Sequence, residues 1–459
     1  MDTHWTRRTT LRNAFTALVC LSAPGGLLQA GKTGIKWRNW GGNLSASPAN
    51  ILAPDSEAAL VQAIANSPDV IRPVGSSHSW SPLAPTDGTM VSLDRLSGII
   101  STDAASLQAE LWGGTKLFAL GPMLEEVGQA VVNMSDINYQ TLAGAIATST
   151  HGTGANLGAM SSYVSGLRLI TTAGDTIDCD ADNEAELFNA ARTSLGALGF
   201  ITRIRMQNQA SIRLHQREWL ADMDETLENI DQLNRENQLF ELFPIPNSER
   251  TIVVVTNPAA AGVGDTIEDE PNSLNDLREG YSWVRKLPFG QESALNTMLD
   301  IALGGTTDRI GPLHKVLAHP RTTRFMEMEY TVPAERGVAC LREILAKIKS
   351  DAPGIVFPLE VRYIKADNTM IGMFSEQDGC AISIHQFADE PNWKQYFSLI
   401  EPIFHKYQGR PHWGKWHSLD GKQLRQLYPQ WDRFRRIRQE LDPGNRMINP
   451  YLGRLLEIA

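Results

Sequence analysis

The sequence predicts an α+β protein of two domains. The chain has 459 residues, more than one compact core ordinarily organises. Helix and strand signals alternate over residues 45–208, and strand-like and helix-like runs mix again over 209–459. Hydrophobic residues make up 42% of the chain, enough for two cores, and no repeat or low-complexity tract interrupts them. The formal net charge of −10 argues against nucleic acid or an anionic membrane as the main partner. Cys20, Cys179, Cys340 and Cys380 show neither CxxC pairing nor metal-ligand spacing, so free thiols and no metal site are expected.

The elements follow in chain order. Residues 1–30 read as an export signal: Arg7-Arg8 precedes an apolar stretch over 14–28, and Ala30 stands near its end. The paired arginines give it a twin-arginine character, which implies export and a periplasmic location. Pro24-Gly25-Gly26 breaks the stretch, leaving it too short for a stable membrane span. The alternative is a basic tail carrying an apolar patch. Next, Pro54-Asp55-Ser56 offers an N-cap to a helix whose apolar face is Leu60, Val61 and Ile64, stopped by Ser67-Pro68.

Strands are predicted at 70–74, 90–93 and 107–112, then a helix through Leu117, Leu120, Leu124 and Val127. A hairpin joins 164–171 to 176–179 across Ala173-Gly174-Asp175; a helix over 184–191 and a strand over 200–206 complete the first half. In the second half, strands are predicted at 251–256, 325–332, 356–364 and 380–387, with helices over 335–349 and 392–407. The acidic stretch 265–279 reads as an exposed loop. A last helix over 423–441 carries Leu427, Trp431, Phe434 and Ile437 on one side and five arginines on a solvated face.

Four segments could carry chemistry. In the first, Val74-Gly75-Ser76-Ser77-His78-Ser79, a strand runs into a tight turn of glycine and serines that suits phosphate oxygens. His78 within it is a candidate nucleophile; the alternative is an ordinary serine-rich loop. The second runs from Leu142 to Gly154 with almost only small, uncharged residues, which lets backbone approach a bulky ligand closely. Its spacing is not GxGxxG, so a nicotinamide cofactor is not supported. In the third, Glu360-Val361-Arg362, strand alternation puts carboxylate and guanidinium on one face, for polyol hydroxyls and a developing alkoxide or for a structural salt bridge. The fourth is His412-Trp413-Gly414-Lys415-Trp416-His417, where a lysine among aromatics is expected to have a lowered pKa and act as a base. The alternative is a loop anchored by two tryptophans. His385, alone in its strand, could equally be a core residue.

Together these segments resemble the vanillyl-alcohol-oxidase superfamily with its p-cresol-methylhydroxylase-type FAD domain, and within it the aldonolactone oxidase branch. The resemblance covers nearly everything from Lys36 to Leu452. It implies a two-lobed FAD-binding domain over 45–208, a substrate domain over 209–459, and a C-terminal segment, 410–459, that closes on the flavin through Asn449-Pro450-Tyr451. Val74 to Ser79 resembles the segment carrying the covalently linked histidine, so FAD is expected to be tethered through His78. Gly144, Thr148, Thr150, His151 and Gly152 resemble the second FAD loop, and the resemblance adds Thr141, Ile201 and His412 to the flavin contacts. Glu360, Arg362, His385 and Lys415 fall where this branch has its substrate pocket.

Ser135-Asp136 falls where relatives line the flavin beside the substrate, and Ser135 lies near the position that gates oxygen in the superfamily. Alditol oxidases resemble a serine at Asp136, so the aspartate favours a lactone. The implied reaction is oxidation of the C2 hydroxyl of an aldono-1,4-lactone, hydride passing to flavin N5 and electrons on to oxygen or a redox carrier. Lys415, with His385, takes the hydroxyl proton in this reading; Arg362 stabilises the alkoxide and Glu360 positions neighbouring hydroxyls. Two alternatives keep the fold: an alditol oxidase, and a flavoprotein that only binds FAD as a redox partner or sensor. A periplasmic sugar-binding protein explains the export signal but neither FAD-type loop.

Overall fold

A computed structural model describes residues 35–267, 273–319 and 323–458. The expected export signal, Cys20 included, lies outside the described residues. Cys179, Cys340 and Cys380 are buried free thiols.

The first half is built on two sheets. Three parallel strands, in the order Asn50–Leu52, Thr89–Ser92, Ile71–Val74, form the smaller one. The crossover helix Glu57–Ala65 is capped by Ser56, whose hydroxyl accepts from the Ala59 amide, and it buries Leu60 and Ile64. Five antiparallel strands form the larger sheet, in the order Thr176–Asp180, Val164–Ile170, Phe200–Gln207, Gln108–Trp112, Ile99–Asp103. The predicted hairpin is its first pair.

The second half is one eight-stranded sheet, ordered Thr306–Pro312, Arg213–Asp222, Arg250–Pro258, Leu239–Pro244, Glu360–Ile364, Gly379–Phe387, Phe325–Pro333, Arg410–Pro411. Its central strands are two-faced. Met326, Met328, Val361, Ile382 and Ile384 join one hydrophobic cluster with Leu341, Ile344, Phe397 and Phe404 of helices Gly337–Asp351 and Trp393–Lys406. Alternation then sends Glu327, Glu329, Glu360, Arg362, Ser383 and His385 to the other face. The register aligns Glu327 with His385, and both Glu329 and Glu360 with Ser383.

Several elements differ from the sequence expectation. The 423–441 segment is two helices, Gly421–Leu427 and Trp431–Leu441, because Pro429 has no N–H to donate and its ring blocks the preceding turn. Arg438 is buried rather than solvated, donating to Asn445 Oδ1 at 2.7 Å. The acidic stretch 265–279 is helical from Ser273, because Leu277, Tyr281 and Val284 recur at helical spacing and pack inward. Strands Arg213–Asp222, Leu239–Pro244 and Thr306–Pro312 carry no clean alternation in sequence and were not expected.

The chain ends by returning to the first half. Asn449 Nδ2 donates to the carbonyls of Pro82, Leu83 and Pro85 at 2.9, 3.1 and 2.8 Å. The Trp80 amide donates to Gly414 O at 2.7 Å. Arg72 gathers the segments: its guanidinium donates to the carbonyls of Leu83, Leu195, Gly196 and Met447 at 2.5–3.1 Å. Burial pulls its pKa down to about 9, with Asp442 opposing. Lysine cannot reproduce this five-donor fork. Arg72→Lys is expected to lose on the order of 3 kcal/mol, because buried carbonyls go unpaired; a Tm unchanged in thermal denaturation would contradict this.

Candidate active site

One cavity lies where the two halves meet, lined by segments 72–81, 135–151, 194–201 and the charged face of the large sheet. Val74, Gly75, Ser76, Ser77, His78, Ser79, Ser135, Asp136, Thr141, Gly144, Thr148, Thr150, His151, Ile201, Glu360, Arg362, His385, His412 and Lys415 all line it. Gly152 does not. A Cβ there would sit 2.2 Å from Met134 O and 2.3 Å from Asn133 Oδ1, so the packing at this position admits only glycine.

The 74–79 loop is held rigid from several sides. The Trp40 amide donates to Ser77 O at 2.8 Å, Trp37 Nε1 to Ser77 Oγ at 3.0 Å, and Lys116 Nζ to Ser76 Oγ at 2.9 Å. Ser77 takes φ +60°, a left-handed conformation that these bonds hold in place. His78 is thereby stacked between Trp40 and Tyr139, ring centroids 5.3 and 6.0 Å away. Its Nδ1 is buried without a hydrogen-bond partner. Burial, then repulsion by Lys116, lowers the His78 pKa to about 4, so the ring is neutral and nucleophilic near neutral pH.

Facing the loop is helix Leu142–Ala147, capped by Thr141, whose hydroxyl accepts from the Gly144 amide at 3.2 Å. A Cβ on Gly75 would lie 2.6 Å from Thr141 Oγ1, and one on Gly144 2.8 Å from it. The two small-residue segments therefore touch, leaving room for a flat, extended ligand beside His78. Ser135 donates its hydroxyl to Ile137 O at 2.7 Å, and Asp136 Oδ1 pairs with His319 Nδ1 at 2.6 Å.

The other end of the cavity is a buried charge network. Lys415 Nζ reaches Glu329 Oε2 at 2.5 Å, Ser383 Oγ at 3.3 Å, and Glu327. Arg362 pairs with Glu329 at 2.9 Å and Glu360 at 3.0 Å; His151 Nε2 donates to Glu329 at 2.7 Å. Burial alone would depress the lysine, yet Glu327 and Glu329 hold its pKa above the ordinary value. The expectation of a lowered lysine pKa is therefore overturned: the two carboxylates favour the ammonium form of Lys415. Burial opposes ionisation of Glu327, but Lys415 and His385 prevail and lower it to about 2. Glu329 is likewise held well below the ordinary carboxylate range. Burial would also pull Arg362 down, but Glu360 and Glu329 keep it raised.

Two histidines complete the wall. His412 is kept neutral, its pKa lowered to about 3 mainly by burial. Its Nδ1 accepts from the Gly414 amide at 3.0 Å, leaving the ring proton on Nε2. His385 donates from Nδ1 to Pro358 O at 3.0 Å, which turns Nε2 toward Glu327, 3.3 Å away. Among the described residues, two sets of ligand-type atoms come within 4.8 Å, His151–Glu329–His412 and Glu327–Glu360–His385. Their carboxylates already hold Lys415 and Arg362, cations that a metal would have to displace. Sequence reasoning missed Glu327, Glu329, Ser383 and His319. Only the first two left a signal, the alternation Met326-Glu327-Met328-Glu329 in a predicted strand.

Comparison with known proteins agrees with this geometry. The FAD binding domain family matches residues 48–180. A cholesterol oxidase from B. sterolicum superposes with a TM-score of 0.77 at 15% identity, covering 95% of this chain and 100% of that one. The chain is thus an FAD-dependent oxidoreductase with the p-cresol-methylhydroxylase-type fold. The family described as D-arabinono-1,4-lactone oxidase matches residues 204–455. An L-gulono-1,4-lactone dehydrogenase of Mycobacterium tuberculosis is 33% identical over 435 residues, 92% of this chain and 99% of the relative. An L-gulonolactone oxidase of Bos taurus is 27% identical, covering 93% and 99%. The chain belongs to the D-arabinono-1,4-lactone oxidase family. The residues present fit FAD: His78 Nδ1 is buried, neutral and unpartnered beside two glycines whose Cβ atoms would collide with Thr141.

Two outcomes follow from the charge network. Lys415→Met leaves two buried carboxylates without their ammonium and is expected to cost about 3–5 kcal/mol, read from urea denaturation. Glu327 contributes stability in full above its ordinary pKa of 4.5, and loses it as pH falls through about 2. Glu327→Gln removes that dependence, so its Tm should fall less than wild type between about pH 6 and about pH 3. Parallel Tm profiles would contradict the assignment.

Proposed function

We propose that this chain oxidises the C2 hydroxyl of an aldono-1,4-lactone, D-arabinono-1,4-lactone being the reference substrate, with FAD tethered through His78. The observation that carries this reading is a buried cationic pair, Lys415 and Arg362, set beside the imidazole of His385 on one cavity wall. A secondary alcohol needs those two functions together: a base for its proton and fixed positive charge for the alkoxide. Bound FAD supplies the two-electron acceptor.

His385 Nε2 takes the hydroxyl proton, and Glu327, kept ionised by Lys415, stabilises the imidazolium that results. Arg362 and Lys415 face the alkoxide oxygen with charge already in place. Glu360, held by Arg362, accepts from a neighbouring ring hydroxyl. Asp136, clasped by His319, does the same on the opposite wall. His78, stacked against Trp40 and Tyr139, would hold the flavin through its unpartnered Nδ1.

Electrons leave to a redox carrier in preference to oxygen. Ser135 supports this: it fills the wall at the oxygen-gating position with a side chain anchored at 2.7 Å to Ile137 O. The relative from Mycobacterium tuberculosis is itself named a dehydrogenase.

His385→Ala is expected to lower kcat on D-arabinono-1,4-lactone by about 10²–10⁴-fold with flavin still bound; near-normal turnover removes His385 from the role. His78→Ala should erase flavin fluorescence from the denatured protein band, and a fluorescent variant band would exclude this tether. Ser135→Gly should raise reoxidation of the reduced enzyme by oxygen roughly tenfold, about 1.4 kcal/mol of barrier. An unchanged rate in stopped flow would exclude the gate.

A further inference from the structure

The hairpin of helices Ser273–Val284 and Gln291–Leu303 buries Tyr281, Val284, Leu295 and Leu299 against Ile245 and Val356. Its tip does the reverse. Trp283 is 64% exposed, Leu287 41% and Phe289 83%. The turn that presents them is tied down: Gln291 Nε2 donates to the carbonyls of Arg285 and Leu287 at 3.2 and 2.9 Å. The Tyr281 hydroxyl anchors the helix below it, donating to Pro353 O at 2.7 Å. Three large apolar side chains are thus held outward together, an unfavourable arrangement in water.

The turn itself carries charge of one sign. Residues 283–290 contain Arg285 and Lys286 and no acid. Arg285 packs toward Gly354, just past helix Gly337–Asp351, whose end carries Lys347 and Lys349, paired with Asp351 and Glu292. Glu279 lies one turn before Trp283, so four cations meet three carboxylates at this corner, a positive excess in a chain whose net charge is −10. Screening over roughly 8–10 Å lets the corner act on its own sign rather than the chain's.

We propose that this tip docks the protein on an anionic lipid surface. Trp283, Leu287 and Phe289 enter the boundary between headgroups and acyl chains, and Arg285 and Lys286 meet the phosphates. The contact is peripheral, since among the described residues no helix is long and apolar enough to cross a membrane. A second copy of the chain is the poorer occupant. Three side chains on a convex turn fall short of the roughly 800 Å² that a stable interface takes from each partner. Leu274, on the cavity wall, begins the helix that ends at the tip, about 14 Å along its axis. Docking would therefore hold the cavity close to the bilayer.

The test is co-sedimentation of the FAD-loaded protein with phosphatidylcholine vesicles and with vesicles containing about one third phosphatidylglycerol. The expected result is sedimentation with the anionic vesicles only, weakened by salt. Partitioning should fall about tenfold for Phe289→Ser and for Trp283→Ser, and several-fold for Lys286→Glu, with turnover in solution unchanged. Wild-type protein left in the supernatant with both vesicle types overturns the proposal. So does equal sedimentation of all variants, which moves the contact elsewhere. A dimer that Phe289→Ser converts to monomer on a sizing column would make the occupant a second copy.

Discussion

The arrangement of this molecule depends on one buried constellation: Lys415 held by Glu327 and Glu329, with Arg362 bridging Glu329 to Glu360. Charges this deep are tolerable only when each meets its opposite with good geometry. The sheet supplies that geometry. Three adjacent strands present their polar positions to one side, and the register sets both Glu329 and Glu360 opposite Ser383. Lys415 arrives from outside, on the loop that follows strand Arg410–Pro411. Its ammonium locks that loop, and with it Trp413 and Gly414, against the central strands.

That lock organises the rest of the site. The Gly414 carbonyl receives the Trp80 amide, and the Trp413 carbonyl receives the Ser81 hydroxyl. The second half therefore grips the segment that carries His78, only a few residues upstream. Arg72 and Asn449 repeat the grip with neutral carbonyls, joining the chain's last segment to its first sheet. The cavity is consequently a product of contacts far apart in sequence, and its two ends are rigid for separate reasons. One is a turn fastened by tryptophans and a lysine; the other is a net of ion pairs.

Much of this was legible in the sequence. The serine-glycine turn at 74–79 and the small-residue run ending at Gly154 announce themselves because close backbone approach demands small side chains. Glu360-Val361-Arg362 is readable because a two-residue period is a local property. Lys415 was placed correctly in the cavity and given the wrong protonation. Its pKa is set by carboxylates 86 and 88 residues earlier in the chain, which no local pattern reveals. Gly152 matches the FAD loop in sequence, but only the fold brings up the Met134 carbonyl that excludes a side chain there. His319 had no signal at all, since its partner Asp136 lies on the other half of the molecule. Pro429 was visible, and its power to divide the last helix was underweighted.

The central claim is that an imidazole base and a fixed cationic pair are matched to a secondary alcohol of a lactone. Anaerobic stopped-flow reduction of the bound flavin by D-arabinono-1,4-lactone, unlabelled and deuterated at C2, tests it most directly. The account predicts rapid bleaching with a primary isotope effect, and much slower bleaching by the open-chain alditol. Bleaching by the alditol at an equal rate, or a flavin left oxidised by the lactone, would contradict it.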